Sequence, residues 1–210
     1  MMLEQHAPCA VWHITESEEQ LCSLLRHPEY YADKVSTLRH GSRRMLEVLA
    51  VRCALCQHMQ GVEQRVAYDA SGKPQLADSP LQLSISHTQD YAAVITSPWP
   101  VGIDIERRGN RVQRVVSHYL QPSECALFAP GIGTLDNMLL LHLAWSAKET
   151  AFKVLGNDYY DLLRLTQVTA VDTESHTLTL AVCRRNEPLL IHYDYTAEYV
   201  LTWCVVSPKM

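Results

Sequence analysis

Two acidic residues stand one position apart in the run Val101-Gly102-Ile103-Asp104-Ile105-Glu106. In a β-strand, Asp104 and Glu106 point to one face, while the neighbouring isoleucines point to the other. Carboxylates held side by side repel each other unless a cation or a proton lies between them, so such pairs often mark a site for a divalent metal ion. The alternative is a strand end that carries two solvated acids, and this pair alone favours that alternative.

A second run, Trp145-Ser146-Ala147-Lys148-Glu149-Thr150-Ala151-Phe152-Lys153, combines a carboxylate with a lysine. Trp145, Glu149 and Lys153 are spaced by four residues, which places them along one stripe of a helix. Taken alone, the glutamate and the lysine could form a surface ion pair, and the two aromatic residues could be core anchors. Together with the first run, they complete a set of three carboxylates and a lysine suited to a magnesium ion that holds a pyrophosphate.

The elements that position these residues are predicted from hydrophobic periodicity and turn signals. Each half of the chain has a main helix followed by about three strands, and no linker or low-complexity tract divides the halves. We therefore predict two interlocked subdomains in a mixed α+β fold, with a structural duplication suspected. The predicted helices are Glu16–Leu25, Arg43–Met59 and Leu139–Leu155, and the predicted strands are Val62–Tyr68, Leu83–Ser86, Tyr91–Thr96, Val101–Glu106, Gln167–Asp172, Leu178–Cys183 and Tyr199–Val206.

Composition excludes several classes of protein. The chain has 210 residues, with 18 Lys plus Arg against 23 Asp plus Glu and a formal net charge of -5. A general nucleic-acid binder has a basic footprint, so an acidic chain is a poor candidate for one. No run approaches the ~18 apolar residues of a membrane span, and residues 1–14 lack the basic start and apolar block of a secretory signal.

Seven cysteines, an odd number, indicate a reduced, cytoplasmic protein rather than a disulfide scaffold. Cys53 and Cys56 form a C-x-x-C, but no second pair stands at zinc-site spacing, so we predict buried structural cysteines on a helix. A phosphate-binding loop of the Gly-x-x-x-x-Gly-Lys kind and a dinucleotide-binding fingerprint are both absent from the sequence, which argues against an ATPase or a dehydrogenase.

The two acid-bearing runs, about forty residues apart, resemble the paired signature of the 4′-phosphopantetheinyl transferases. Similar pieces occur in the same order: a helix opened by Arg43, the turn Gly72-Lys73-Pro74, and the run Ser84-Ile85-Ser86-His87. The resemblance covers about residues 43–156, and the length is similar to the long branch typified by the surfactin-synthetase-activating enzyme. It implies two similar α/β subdomains, 1–100 with the coenzyme A nucleotide contacts and 101–210 with the metal and catalytic residues. They would each have a main helix and about three antiparallel strands, related by a pseudo-twofold, with the active site at their interface.

The resemblance also implies the reaction: transfer of the 4′-phosphopantetheine arm of coenzyme A to a serine of an apo acyl or peptidyl carrier protein, with release of 3′,5′-ADP. Asp104, Glu106 and Glu149 match the ligands of the required Mg²⁺. Glu149 is also the implied base for the serine hydroxyl, directly or through water. Lys153 matches the lysine that contacts the phosphate under attack, so Lys153 and Asp104 also belong to the coenzyme A site.

Other residues match the nucleotide end of the family's site. Arg43 matches the arginine for the 3′-phosphate, although Arg44 beside it could take that role. Gly72, Lys73 and Pro74 would shape a turn against adenine, and Ser86 with His87 would bond the coenzyme A phosphates. The alternatives are a solvated arginine, an ordinary hairpin turn and a surface histidine.

The implied carrier-docking region is about residues 107–128. Arg107, Arg108, Arg111 and Arg114, with no acid among residues 107–114, suit an acidic carrier, whereas the alternative is a mobile, solvated loop. We expect a monomer that acts in fatty-acid, polyketide or peptide synthesis and binds neither nucleic acid nor membrane.

Two other functions remain open from the sequence. One is a metal-dependent phosphodiesterase or nuclease, since an acid cluster with a lysine is also nuclease-like. The four-residue spacing from Glu149 to Lys153 argues against it, because nuclease sites usually show a closer Glu-x-Lys. The other is a non-catalytic coenzyme A-binding protein of the same fold, and the complete set of three acids and a lysine argues against that.

Overall fold

The computed structural model describes residues 3–6, 8–128, 132–133, 135–156 and 161–208. The chain divides into two compact units, Met1–Val101 and Gly102–Met210. Each unit combines an antiparallel sheet with one long helix, so the fold is mixed α+β as the sequence predicts.

The first unit has a four-stranded sheet in the order β1-β2-β6-β5 and a separate β3–β4 hairpin. Its long helix, α3, packs on β6 and β2. Ser42 starts this helix, because its Oγ accepts a hydrogen bond from the Met45 amide at 3.2 Å. The elements are β1 (Leu3–His6), β2 (Cys9–His13), α1 (Glu18–Ser23), α2 (Ala32–Val35), α3 (Arg43–His58), β3 (Val66–Tyr68), β4 (Pro74–Leu76), β5 (Gln82–Thr88) and β6 (Tyr91–Ser97).

The second unit has a five-stranded sheet in the order β7-β11-β10-β9-β8. Its long helix, α6, packs on β11 and β10, starts where Asp136 accepts the Leu139 amide at 2.7 Å, and ends at Gly156 with a φ of 87°. A 3₁₀ turn covers Val116–His118. The elements are β7 (Val101–Arg107), α4 (Arg111–Arg114), α5 (Pro122–Phe128), α6 (Asn137–Leu155), α7 (Leu162–Leu165), β8 (Thr166–Asp172), β9 (Thr177–Val182), β10 (Leu189–Tyr195) and β11 (Tyr199–Val205).

The order of strands differs from the predicted pattern of one helix followed by three strands. Strands β1 and β2 precede α3, and four strands follow α6. Strand β10 was not predicted, although Leu189, Ile191 and Tyr193 are buried at alternate positions, because it follows a polar stretch with weak strand propensity. The predicted strand 62–68 shortens to β3 (Val66–Tyr68), and the side chain of Glu63, before this strand, accepts the His27 amide at 3.1 Å.

All seven cysteines are free thiols. Cys53 is buried on α3, where desolvation raises its pKa to about 12, and Cys56 lies one turn later, half-buried. Cys53 is thus a buried core residue as predicted, whereas Cys56 is only partly buried. Over the described ranges, none of the helices combines the length and the apolar character needed to cross a membrane.

Candidate active site

Strand β7 approaches helix α6 closely at Gly102. A Cβ added at this position would lie 2.5 Å from the carbonyl oxygen of Thr150 and 2.7 Å from Cγ2 of Val154. Only a glycine allows this distance between strand and helix. The following residues with the same strand orientation, Asp104 and Glu106, therefore face α6 and meet its side chains.

Asp104 lies between two groups of α6. Its side chain is buried, and Oδ2 accepts a hydrogen bond from Ser146 Oγ at 2.8 Å. Its Oδ1 accepts one from Lys153 Nζ at 2.8 Å, and the same ammonium donates to the carbonyl oxygen of Ile103 at 2.8 Å. The structure thus brings together Asp104 and Lys153, which are far apart in sequence. Lys153 forms its ion pair with Asp104 rather than the i,i+4 surface pair with Glu149 that the spacing allowed.

Glu106 and Glu149 complete the acidic cluster, which we define as Asp104, Glu106 and Glu149. The Trp145 indole donates to Glu106 Oε1 at 2.9 Å. Burial, with a further contribution from the charge of Asp104, raises the pKa of Glu106 to about 7. Burial and Asp104 also raise the pKa of Glu149, while Lys153 opposes the increase. The charge of Asp104 therefore acts on both glutamates, and Lys153 is an ammonium that opposes this effect.

The chemistry of this cluster fits Mg²⁺, although the side chains are not arranged as a finished metal site. In the part of the chain that is described, no three Cys, His, Asp or Glu side chains form a group that could hold a metal ion. Ser146 and Lys153 occupy the oxygens of Asp104 instead. Mg²⁺ usually takes one or two carboxylates together with phosphate oxygens and water, so a few oxygens of the acidic cluster would meet its needs. One buried and two half-buried carboxylates beside a single lysine are the observation that favours a cation here.

A second group of predicted residues meets in the first unit. The Glu47 carboxylate on α3 lies 3.1 Å from His87 Nδ1 and 3.2 Å from Arg44 Nη1, and that arginine also contacts Nε2 of the same imidazole. Arg43 instead pairs with Asp90 at 3.3 Å. Glu47, almost fully buried, is a residue that sequence reasoning missed, because a glutamate within a helix gives no signal of its own.

Ser86 and His87 are adjacent on β5. Ser86 is buried and His87 is half-buried, and strand alternation directs the two side chains to opposite faces of the sheet. The structure therefore brings His87, but not Ser86, next to Arg44.

The turn Gly72-Lys73-Pro74 is organised by a residue that the sequence reasoning also missed. Asp69 Oδ1 accepts the backbone amides of Ser71 at 2.8 Å and Lys73 at 3.0 Å. These bonds, with one from the serine hydroxyl, lower the pKa of Asp69. Gly72 has a φ of 83°, which favours glycine. An aspartate shortly before Ser-Gly is the known signal for such an Asx turn.

Positive charge gathers beside this hairpin. Lys34 Nζ lies 4.4 Å from the centre of the Tyr68 ring, and Arg52 Nη2 is 3.4 Å from the Tyr68 hydroxyl. Arg52 is buried, and its Nε has no hydrogen-bond partner among the described residues. A buried guanidinium without a carboxylate is costly, so this region is suited to an anion.

The predicted docking region is helical over most of its length rather than a loop. It contains α4, the 3₁₀ turn and α5, and the side chains of Arg107, Arg111 and Arg114 are exposed. Arg108 is held differently, since its guanidinium donates to the Thr196 carbonyl oxygen at 3.1 Å. Three of the four arginines therefore remain at the surface.

Comparison with protein families identifies the part of the chain that contains the acidic cluster. Residues 100–204, half of the chain, match the model described as the 4′-phosphopantetheinyl transferase superfamily. A search of curated proteins found no match to the chain. The matched range includes β7 and α6, and therefore Asp104, Glu106, Glu149 and Lys153.

Proposed function

Since this chain belongs to the 4′-phosphopantetheinyl transferase superfamily, we propose that it moves the 4′-phosphopantetheine arm of coenzyme A to a serine of an apo acyl or peptidyl carrier protein. Membership of this superfamily supports phosphopantetheine transfer in general, with coenzyme A and a carrier protein as the partners. The specific proposal is a holo-carrier-protein synthase that requires Mg²⁺ and releases 3′,5′-ADP. The observation that supports this proposal most is the contact between Lys153 and Asp104 of the acidic cluster.

The acidic cluster and Lys153 would handle the pyrophosphate. Asp104, Glu106 and Glu149 would hold Mg²⁺, which when bound supplies positive charge to the pyrophosphate oxygens. Lys153 is about one quarter exposed at its side chain, so its ammonium can reach a phosphate while it stays close to Asp104. It would stabilise the negative charge on the phosphate under attack.

Glu149 would accept the proton of the incoming serine. Its carboxylate accepts no hydrogen bond from any described residue, and it is less than fully buried, so a hydroxyl can approach it. The serine oxygen would bond to the phosphorus that carries the pantetheine arm, and the bond from that phosphorus to the oxygen of 3′,5′-ADP would break. The serine proton would pass to Glu149, directly or through a water molecule.

Residues of the first unit would bind the nucleotide end of coenzyme A. Arg44 and His87 contact each other, so these two could bind one phosphate, while Arg43 stays in the proposal as the alternative. Ser86, whose side chain faces the other side of the sheet from His87, stays in the proposal as a coenzyme A contact only because of the family resemblance. The turn Gly72-Lys73-Pro74 would lie against adenine, and the unbalanced charge beside that hairpin supports an anionic ligand there.

Several finer features remain predictions from the resemblance. These are the long, pseudo-twofold subtype, the division of roles between 1–100 and 101–210, an active site at the interface, a cytoplasmic monomer and a role in fatty-acid synthesis. The preferred carrier is also open among fatty-acid, polyketide and peptide carriers.

Intact-mass measurement tests the proposal. The protein is incubated with coenzyme A, Mg²⁺ and a panel of apo carrier proteins, and each carrier is examined for addition of one phosphopantetheine. We expect addition to at least one carrier and none when the magnesium is removed with EDTA. A folded protein that binds coenzyme A but modifies no carrier would instead be a non-catalytic coenzyme A-binding protein. Cleavage of DNA or of phosphodiesters would indicate the nuclease alternative.

A further inference from the structure

Lys148 is fully buried, although it lies one residue before Glu149 on the helix of the candidate site. Its ammonium donates to Glu124 at 2.8 Å, to the Tyr119 carbonyl oxygen at 2.6 Å and to the Thr166 carbonyl oxygen at 3.1 Å. Every bond of this ammonium therefore goes to a residue outside α6. A buried ion pair of this kind contributes little net stability by itself but strongly constrains geometry.

Glu124, the partner of Lys148, also binds two backbone amides outside α6. Its Oε2 accepts the Gln121 amide at 2.8 Å, and its Oε1 accepts the Val168 amide at 2.8 Å. Lys148 and Glu124 together thus join α6 to the start of β8 and to residues 111–128, which contain α4, the 3₁₀ turn and α5. We call this last stretch the 111–128 segment.

The 111–128 segment also contacts the acidic cluster indirectly. The Tyr119 ring meets the Trp145 ring edge-on, with 5.1 Å between centroids, and the Trp145 indole donates to Glu106. The Tyr119 carbonyl is the group that Lys148 binds. Tyr119 therefore contacts α6 both with its ring, at Trp145, and with its carbonyl oxygen, at Lys148.

A cavity of about 310 Å³ lies beside Glu106, and the 111–128 segment forms one wall of it. Arg111, Val112, Val115 and His118 of this segment line the cavity, together with Arg107, His142 and Trp145. Glu106 is the member of the acidic cluster that lines this cavity, whereas Lys153 and Asp104 do not line it, so the cavity lies next to the proposed pyrophosphate site. Its two exposed arginines, Arg107 and Arg111, and its valines suit an acidic, amphipathic protein surface.

We propose that Lys148 is a positioning residue for the carrier protein: its buried ammonium locks the 111–128 segment onto α6 and so keeps the cavity beside Glu106 in the shape that the carrier meets. This inference rests on the proposed function. It assigns Lys148 no contact with coenzyme A or with the reacting atoms. Its effect should therefore fall on the carrier and not on the nucleotide.

The test uses the double variant Lys148→Met/Glu124→Gln. Removing the lysine alone would leave a buried carboxylate unpaired, whereas the double variant removes both charges, and the glutamine carbonyl oxygen can still accept one of the two backbone amides that Glu124 accepts. We expect a folded protein whose KM for the carrier rises about 10-fold, the size of a typical coupling through packed residues. The KM for coenzyme A and kcat should remain within about 2-fold of the wild-type values.

Hydrogen exchange provides a second readout that needs no substrate. In the double variant, the amides of the 111–128 segment should exchange at least about 10-fold faster, because local opening becomes easier. Amides in α3 of the first unit should be unchanged. A control variant, Arg65→Ala, removes a surface ion pair with Asp78 and should alter neither the exchange nor the carrier KM.

The outcomes separate this inference from the proposed function. A wild-type protein that modifies no carrier overturns the proposed function and, with it, the role of Lys148 in carrier binding. If the wild type is active, a folded double variant with unchanged carrier KM overturns the inference, and so does unchanged exchange in the 111–128 segment. A double variant that loses kcat while both KM values hold would place Lys148 in the chemistry instead, which also contradicts the inference.

Discussion

Replacing Gly102 by alanine should disturb the contact that brings the acidic cluster to α6. The added Cβ would lie 2.5 Å from the Thr150 carbonyl oxygen, about 0.8 Å closer than the shortest ordinary C···O contact. That oxygen belongs to the backbone of α6 and cannot rotate away. Cγ2 of Val154 would lie at 2.7 Å from the same Cβ. Strand and helix must therefore separate by most of an ångström.

The free energy of unfolding should fall by about 2 kcal/mol, the middle of the range for overpacked sites. For a chain of this length, that loss corresponds to a decrease in Tm of about 4–8 °C. Transfer should suffer more than stability, because the shift moves Asp104 relative to Ser146 and Lys153. Misplacement of reacting groups by 1 Å costs about 100-fold in rate.

Gly109→Ala is the matched control in the same unit. No atom lies within 4 Å of the Cβ position at Gly109, so its free energy of unfolding should change by less than about 0.5 kcal/mol. Urea unfolding at 25 °C measures both variants, and carrier modification is followed by intact mass below the melting range. Equal stability and equal activity of the two variants would show that the close approach at Gly102 does not hold the site.

Three further predictions concern the site itself. Asp104→Asn and Glu149→Gln should abolish transfer with little change in the circular dichroism spectrum, and an active, folded variant of either kind would remove that residue from the chemistry. Glu106→Gln should raise the Tm of the metal-free protein, because it removes a half-buried charge next to Asp104, and should reduce the increase in Tm that Mg²⁺ produces. A lower Tm of the metal-free variant would show that Asp104 and Glu106 do not destabilise each other by repulsion. Lys73→Ala and Asp69→Ala should both raise the KM for coenzyme A at unchanged kcat, the first through lost charge and the second through a loosened turn. A variant with lower kcat and an unchanged KM for coenzyme A would show that the turn does not act in coenzyme A binding.

The helices of the site could be predicted more completely than its strands. The predicted helices Arg43–Met59 and Leu139–Leu155 nearly coincide with the observed α3 and α6. This is because an amphipathic helix shows its period within its own sequence. Strands β1, β2, β4 and β10 were missed, since a short strand shows little of its period and depends on partners outside its own sequence. The same limitation hid the buried pair of Lys148 and Glu124, whose residues lie 24 positions apart.

Local spacing by itself determined which residue types lie on one face: Asp104 with Glu106 on a strand, and Trp145 with Glu149 and Lys153 on a helix. Only the tertiary structure decided which of them touch. Lys153 pairs with Asp104, 49 residues away, and not with its helical neighbour Glu149. The physical reason is that Gly102 lets β7 lie against α6, where burial makes an unpaired carboxylate costly and gives the ammonium its strongest partner there.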